Sequence, residues 1–279
     1  MKAQYELSFF VDRIPIPVHL LYSHGSRQPG GTPVTATFIA ALVASYRFLM
    51  KAVYHKHTHL RGLQSACLFD DHAGWKESSP RLDASQSKDI DRACKLIRDT
   101  GERIIVPLLC SIEAEEQARK LVSFERRFKD TNRVKHKVAD RLRLVPGRTP
   151  TEALVAIGDA VRFTLQYQDR GYVAGVRKDM ERLRNRGLTL VALRNTWTND
   201  QYKGINTQWR EPTSGLLFEV QFHTQASFAA RELTHKAYER IRIGDTAVKG
   251  AEMAILRAFQ RHVNAVVSIP PGAVDIGEW

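Results

Sequence analysis

The feature that most constrains the fold is the alternation in residues 217–223, which read LFEVQFH. Successive side chains of a β-strand point to opposite faces, so every second residue shares a face. The apolar face comprises Phe218, Val220 and Phe222. The other face carries a carboxylate, an amide and an imidazole about 7 Å apart, on Glu219, Gln221 and His223. The apolar face predicts packing on a core, whereas the polar row is either a solvated face or a binding surface.

The segments around this strand predict a mixed sheet flanked by helices. Residues 157–165 and 188–197 read as strands, and the Pro-Thr-Ser-Gly turn at 212–215 predicts a hairpin. Residues 171–187 read as an amphipathic helix that ends at a glycine. Further helices are predicted over residues 87–129, 128–142, 225–242 and 247–267, with Pro107 kinking or dividing the first. This order predicts an α/β (α+β) layout of the nucleotidyltransferase type.

The length, charge and cysteine content of the chain limit its domain organisation, its classes of partner and its compartment. We divide the 279 residues into an N-terminal extension, 1–90, and a folded domain, 91–279. The 42 basic and 30 acidic residues give a net charge of +12, which attracts polyanions such as nucleotides and nucleic acid. Three cysteines without paired spacing predict a reducing compartment and no zinc site. We recognise neither a signal peptide nor a membrane span, and expect cytoplasmic action, with delivery by secretion left open.

Three short motifs together resemble the synthetase domain of RelA/SpoT-type alarmone enzymes. They are DAVRF at 159–163, YKGINT at 202–207 and FEVQFHT at 218–224. The resemblance covers about half of the chain, roughly residues 128–272, and is closest to a branch of actinobacterial polymorphic toxins and small stand-alone synthetases. It implies transfer of a pyrophosphoryl group from ATP to the 3′-hydroxyl of a purine nucleotide, either guanine (GDP or GTP) or adenine (AMP, ADP or ATP). If the chain is a toxin, an antitoxin or immunity protein is a further partner.

The same resemblance implies roles for individual residues. Asp159 and Glu219 would hold Mg²⁺, with Glu219 as a ligand or as the base, and Tyr202 would stack on the acceptor base. Cations for the phosphates would come from Lys129, Lys135, Lys137, Arg162 and Lys203. Other substrate contacts would come from Asn206, Gln221 and His223. Asn206 and His223 stand where the family more often has His and Arg, so the identity of the acceptor stays open. His235 could face the site or make a structural hydrogen bond.

Two alternatives remain at this point. The same chemistry could act on the 3′ end of tRNA, whose terminal adenosine offers the same hydroxyl, and the charge of +12 is compatible with an RNA acceptor. The chain could also be a catalytically silent module that binds RNA or nucleotides, although such a module has no need for two carboxylates. No hydrolase motif accompanies the synthetase motifs, so product would accumulate, as it would in a toxin or a tightly regulated enzyme.

Overall fold

The computed structural model describes residues 82–145, 147–243 and 250–277. Most of the predicted N-terminal extension, to which the sequence assigned no role, lies outside these ranges. The proposed boundary at residue 90 falls inside the first described helix, Ala84–Thr100, which begins with an N-cap from Asp83 and a capping box with Gln86. The folded unit therefore includes residues before 91.

The strands are β1 (Arg119–Val122), β2 (Arg162–Tyr167), β3 (Thr189–Asn195), β4 (Ile205–Arg210) and β5 (Leu217–Thr224). The helices are α1 (Ala84–Thr100), α2 (Val106–Ala114), α3 (Thr131–Leu144), α4 (Pro150–Val155), α5 (Tyr172–Asn185), α6 (Gln225–Ile243) and α7 (Gly250–Ala265). None of these described helices is long and apolar enough to cross a membrane.

The strands form one mixed sheet in the order β1-β2-β5-β4-β3. Among these described strands, the central β2–β5 pair is parallel, and the β1–β2, β4–β5 and β3–β4 pairs are antiparallel. The predicted mixed sheet with flanking helices is confirmed. The predicted core face of β5 is also confirmed, because Phe218, Val220 and Phe222 are fully buried in the main core. Side chains of α2 and α5 belong to the same core.

Two boundaries differ from the sequence prediction. The helix predicted through residue 129 ends at Ala114, and Arg119–Val122 forms the edge strand β1 instead. A π-helical segment, Gly101–Ile105, precedes Pro107, so the proline divides the helix as expected. The strand predicted over residues 157–165 begins only at Arg162, because residues 158–160 form a turn and a bend after α4. Asp159 therefore lies before its strand and not on it.

A second, smaller core lies beside the sheet. It is formed by α1, α3, α4 and the turn that follows α4, and its buried members include Ile90, Val138 and Leu154. The predicted stripe of α3 is present, since Val134 and Val138 are buried and Leu142 packs against them. This small core fixes α3 against the turn that carries Asp159.

Candidate active site

The polar face of the sheet extends over three strands in register. Arg162 on β2 and Gln208 on β4 both pair with Glu219 on β5, and Cα partners of this kind project their side chains on the same face. The next row consists of Thr164, Gln221 and Asn206. Gln221 is 6% exposed and His223 is fully buried, whereas Arg162, Gln208 and Glu219 are half-buried. The face is therefore not simply a solvated one.

Asp159 lies at the end of the first row, in the turn before β2. The backbone N–H of Lys129 donates to the Ala160 carbonyl (3.0 Å), and the N–H of Glu219 donates to the Val161 carbonyl (2.9 Å). Gly158 allows this turn to approach β4, because a Cβ at that position would lie 2.6 Å from the Gln208 side chain. These contacts connect the aspartate turn, the segment before α3 and β5.

Two lysines converge on one carboxylate oxygen of Asp159. The Nζ atoms of Lys129 and Lys137 each lie 2.5 Å from its Oδ2 atom. Burial alone would raise the pKa of Asp159, but the two ammonium groups outweigh it and hold that pKa well below its ordinary value. Burial, together with the neighbouring charge of Lys137, lowers the pKa of Lys129 to about 8. The Asp159 carboxylate opposes this shift in the pKa of Lys129.

Glu219 has the opposite electrostatic character. It accepts a hydrogen bond from the Gln221 amide. Burial raises its pKa above the ordinary value, and the Asp159 charge adds to this, although the Arg162 guanidinium opposes it. Burial and the neighbouring Arg231 lower the pKa of Arg162. The site therefore contains two carboxylates whose pKa values are displaced in opposite directions.

Tyr202 lies in the loop between β3 and β4, and its hydroxyl group is held by two side chains. It donates to Asn206 Oδ1 (2.8 Å) and lies 2.9 Å from His223 Nε2. Burial raises the pKa of Tyr202 to about 12, Glu219 adds to this, and Arg231 opposes it. The loop is closed at its base by Thr196, whose backbone N–H and side-chain hydroxyl both donate to the Gly204 carbonyl (2.9 and 2.7 Å).

A stripe of polar residues on α6 faces this region, and the sequence analysis named only its histidine, His235, as a possible site residue. Ser227, Arg231 and His235 recur every four residues, the spacing of one helix face. Arg231 is 8% exposed and pairs with Glu232 (2.6 Å), which also binds Arg126 (3.0 Å). The spacing of the stripe was the signal in the sequence that could have identified Arg231. Burial, with Arg231 and other arginines, lowers the pKa of His235 to about 3, so its imidazole is neutral.

Three residues that were predicted to bind substrate contact other parts of the protein instead. Lys135 pairs with Asp91 of α1 (2.7 Å), on a different side of α3 from Lys137. Lys203 is 9% exposed and donates to the Trp197 carbonyl (3.0 Å), which stabilises its own loop. His223 is buried, and both of its ring nitrogens are hydrogen-bonded within the protein, so neither nitrogen is available to a substrate in this arrangement.

The remaining candidates are grouped around the two carboxylates. They are Lys129, Lys137, Asp159, Arg162, Tyr202, Asn206, Glu219 and Gln221. Within the described ranges, no group of three or more His, Cys, Asp or Glu side chains could hold a metal. Asp159 and Glu219 are a pair, and a pair fits Mg²⁺, which commonly takes one or two carboxylates and completes its shell with phosphate and water.

Comparison with known proteins gives only distant similarity. No protein-family model and no curated protein matches the chain. Among solved structures, it is similar to the small alarmone synthetase 1 from Bacillus subtilis bound to its product pppGpp, with 17% identity and a TM-score of 0.45 over 64% of this chain and 93% of that chain. A GTP pyrophosphokinase family protein from Streptococcus pneumoniae has 15% identity and a TM-score of 0.43 over 66% of this chain and 90% of that chain. Values at this level assign neither a substrate nor a catalytic residue here.

Proposed function

We propose that the protein is a nucleotide pyrophosphokinase that transfers the pyrophosphoryl group of ATP to the 3′-hydroxyl of a purine nucleotide. The observation that carries the proposal is the convergence of Lys129 and Lys137 on Asp159, beside the in-register pair of Arg162 and Glu219. Phosphoryl transfer requires cations around the transferred group, a metal site and a base for the attacking hydroxyl. This cluster offers one candidate group for each requirement.

The cationic side chains of this cluster would bind the phosphates of the donor, ATP. In the structure, Asp159 neutralises both lysines at 2.5 Å. Asp159 would hold Mg²⁺, with Glu219 as a second ligand or as the base, and the ion when bound would offset the negative charge of the transferred group. Lys129 and Lys137 would then exchange the aspartate for phosphate oxygens, and Arg162 would approach the transferred group from β2. The two lysines and Asp159 thus form a preassembled donor site.

The displaced pKa values of the two carboxylates suggest how their roles divide. Groups whose environments push their pKa values apart commonly divide into a permanently charged member and a proton acceptor. The pKa of Asp159 is held down by two lysines, which favours a constant charge and a metal ligand. The pKa of Glu219 is raised by burial, which makes it the better acceptor for the proton of the 3′-hydroxyl. The hydroxyl oxygen then attacks the β-phosphorus of ATP, and AMP leaves.

The acceptor would bind against the Tyr202 ring. A phenol ring accepts any purine, so stacking alone does not separate guanine from adenine. Asn206 and Gln221, adjacent on β4 and β5, offer amide groups on the same face. Asn206 is half-buried and could hydrogen-bond the acceptor, whereas Gln221 is buried and its amide is already bonded to Thr164 and Glu219.

The test is to incubate purified protein with magnesium and ATP labelled in its β-phosphate, in parallel with GDP, GTP, AMP, ADP, ATP and deacylated tRNA. We expect label to move to at least one mononucleotide. Label on tRNA alone would identify the RNA end as the acceptor, and its rate should then fall steeply with salt because RNA binding releases counterions. Labelling of no acceptor would favour the silent binding module.

A toxic role rests on the motif resemblance alone and has a separate test. Induced expression in a bacterial host should stop growth if the product accumulates, and Asp159→Asn at equal protein level should not. Arrest by both proteins would exclude pyrophosphoryl transfer as the cause. A neighbouring antitoxin or immunity protein would be expected only in the first case.

A further inference from the structure

A buried row of polar side chains connects the acceptor loop to α6. Tyr202 Oη lies 2.9 Å from His223 Nε2, and His223 Nδ1 lies 2.9 Å from Ser227 Oγ. Ser227 Oγ in turn accepts from the Thr224 backbone N–H (3.0 Å). The row thus begins at the ring proposed to hold the acceptor base and ends on the backbone at the junction of β5 and α6.

The directions of these hydrogen bonds follow from the donors available. Tyr202 has one hydroxyl proton, which it donates to Asn206 Oδ1. The bond between Tyr202 and His223 therefore uses the proton on Nε2, which leaves Nδ1 as an acceptor. The Ser227 hydroxyl lies closer to Nδ1 (2.9 Å) than to its other acceptor, the Thr224 carbonyl (3.3 Å), and donates to Nδ1 in this tautomer. This assignment needs a neutral imidazole. Burial, and then the charges of Arg231 on α6 and Arg162 on β2, lower the pKa of His223 well below its ordinary value, although the Lys203 carbonyl opposes this shift.

Packing leaves the imidazole little freedom. His223 is fully buried, and its ring meets the Tyr202 ring edge-on, with centroids 5.5 Å apart and planes at 89°. Above it, Gly204 has a φ of 152°, and a Cβ at Gly204 would lie 2.7 Å from His223 Cε1. A larger residue at 204 would displace the imidazole, so the glycine and the histidine together define the position of the Tyr202 loop.

We infer that His223 is a positioning residue, which fixes the Tyr202 ring for the acceptor through the Tyr202 hydroxyl and touches no substrate itself. A buried side chain that hydrogen-bonds on both sides sets the orientation of its partner more narrowly than stacking alone. The consequence for acceptor binding rests on the proposed function, whereas the contact between His223 and Tyr202 does not. The two can therefore be tested separately.

The first test needs no activity. The ring nitrogens of His223 are observed by long-range ¹H–¹⁵N correlation in wild-type protein and in Tyr202→Phe, with His223→Asn identifying the resonance among the ten histidines. We expect a protonated Nε2 whose shift moves in Tyr202→Phe, and a His223 pKa well below its ordinary value. An Nε2 resonance unchanged by Tyr202→Phe, or a His223 that titrates near pH 6.5, would overturn the inference even if the enzyme proves active.

The second test replaces His223 with glutamine and with asparagine, whose side-chain amides lie at different distances from the backbone. Glutamine places its amide nitrogen near the position of Nε2 and can reach Tyr202, whereas asparagine can replace only Nδ1. We expect His223→Asn to raise the acceptor KM about three- to tenfold, the usual range for one hydrogen bond. His223→Gln should restore much of this loss, and the KM for ATP should change in neither variant.

A double-mutant cycle separates positioning from packing. If His223 acts through the hydroxyl, His223→Asn should have no further effect on the acceptor KM once Tyr202→Phe is present. Additive effects, or an equal rise in the KM for ATP, would mean that His223 only fills space. Thermal unfolding of each variant identifies any loss of fold, and the NMR measurement on Tyr202→Phe still decides the contact. If wild-type protein labels no acceptor, the proposed function fails while the NMR result stands.

Discussion

Replacing Asp159 with asparagine should have two opposite effects on the binding of ATP. In the structure, the Asp159 carboxylate neutralises Lys129 and Lys137, so metal-free ATP must compete with it for both cations. An asparagine side chain at this position would be nearly isosteric but uncharged, which leaves both lysines available to phosphate. We therefore expect Asp159→Asn to bind metal-free ATP more tightly, to lose the tightening that magnesium gives, and to lose transfer activity.

The magnitudes follow from burial. The side chains of Asp159, Lys129 and Lys137 are 20%, 15% and 26% exposed, between a surface and a buried ion pair. Loss of the carboxylate should then cost about 1–3 kcal/mol of stability, or about 2–12 °C in Tm for a chain of this size. Because the folded-state pKa of Asp159 is depressed, this contribution to stability is present above pH 3.8 and is lost as pH falls through the folded-state pKa.

The same substitution also changes binding and catalysis. Removing one nearby negative charge should tighten the binding of metal-free ATP on the order of tenfold. The rate of transfer should fall about a thousandfold.

The assay is calorimetric titration with a non-hydrolysable ATP analogue, in EDTA and in excess magnesium. Asp140→Asn is the matched control, since Asp140 lies on α3, is 56% exposed and is 3.9 Å from Arg143. We expect the control to bind and react as the wild type does. If Asp159→Asn binds the metal-free analogue no better than the wild type and still tightens with magnesium, Asp159 is only a structural counter-ion and the donor site must be reassigned.

Three further outcomes follow from the same geometry. Lys137→Gln should raise the KM for ATP about tenfold or more, whereas Lys135→Gln, whose lysine pairs with Asp91, should leave it within about twofold; equal effects would contradict the placement of α3. Because Lys129 has a pKa of about 8, kcat/KM for ATP should fall as pH rises through that value and Lys129→Arg should remove the fall; an unchanged profile would contradict this assignment. Glu219→Gln should cost at least a hundredfold in kcat and leave Tm within a few degrees, and a variant with more than about a tenth of wild-type activity would exclude Glu219 as the base.

The sequence predicted the structural features that depend on the spacing of apolar residues along one strand or helix. Alternation in β5 is visible residue by residue, so the buried face of Phe218, Val220 and Phe222 followed directly. The stripe of α3 and the glycine at the end of α5 followed in the same way, and both are present in the structure. Local patterns of this kind are fixed by the direction of side chains along one element.

What the sequence could not predict depends on contacts between distant segments. β1 reads as the basic continuation of a helix, and only its antiparallel pairing with β2 makes it a strand. Lys135 and Lys137 are two residues apart in the same helix, and nothing local indicates which of them faces Asp159 and which faces Asp91. His223 belongs to the polar row of β5, and its burial appears only when α6 and the Tyr202 loop cover it. For Lys135 and His223, the error was to assign a side chain to substrate when it contacts another segment of the protein.

Contacts between distant segments also account for His223 and Asn206, the two positions that depart from the motifs of the RelA/SpoT-type family that the sequence resembles. A guanidinium at 223 would be buried beside Arg162 and Arg231, and a third like charge there would be costly. A neutral imidazole avoids that cost and still supplies a donor for the Tyr202 hydroxyl. Asn206 then supplies the acceptor for the Tyr202 proton. The two departures therefore act on one phenol group, since both side chains hydrogen-bond the Tyr202 hydroxyl.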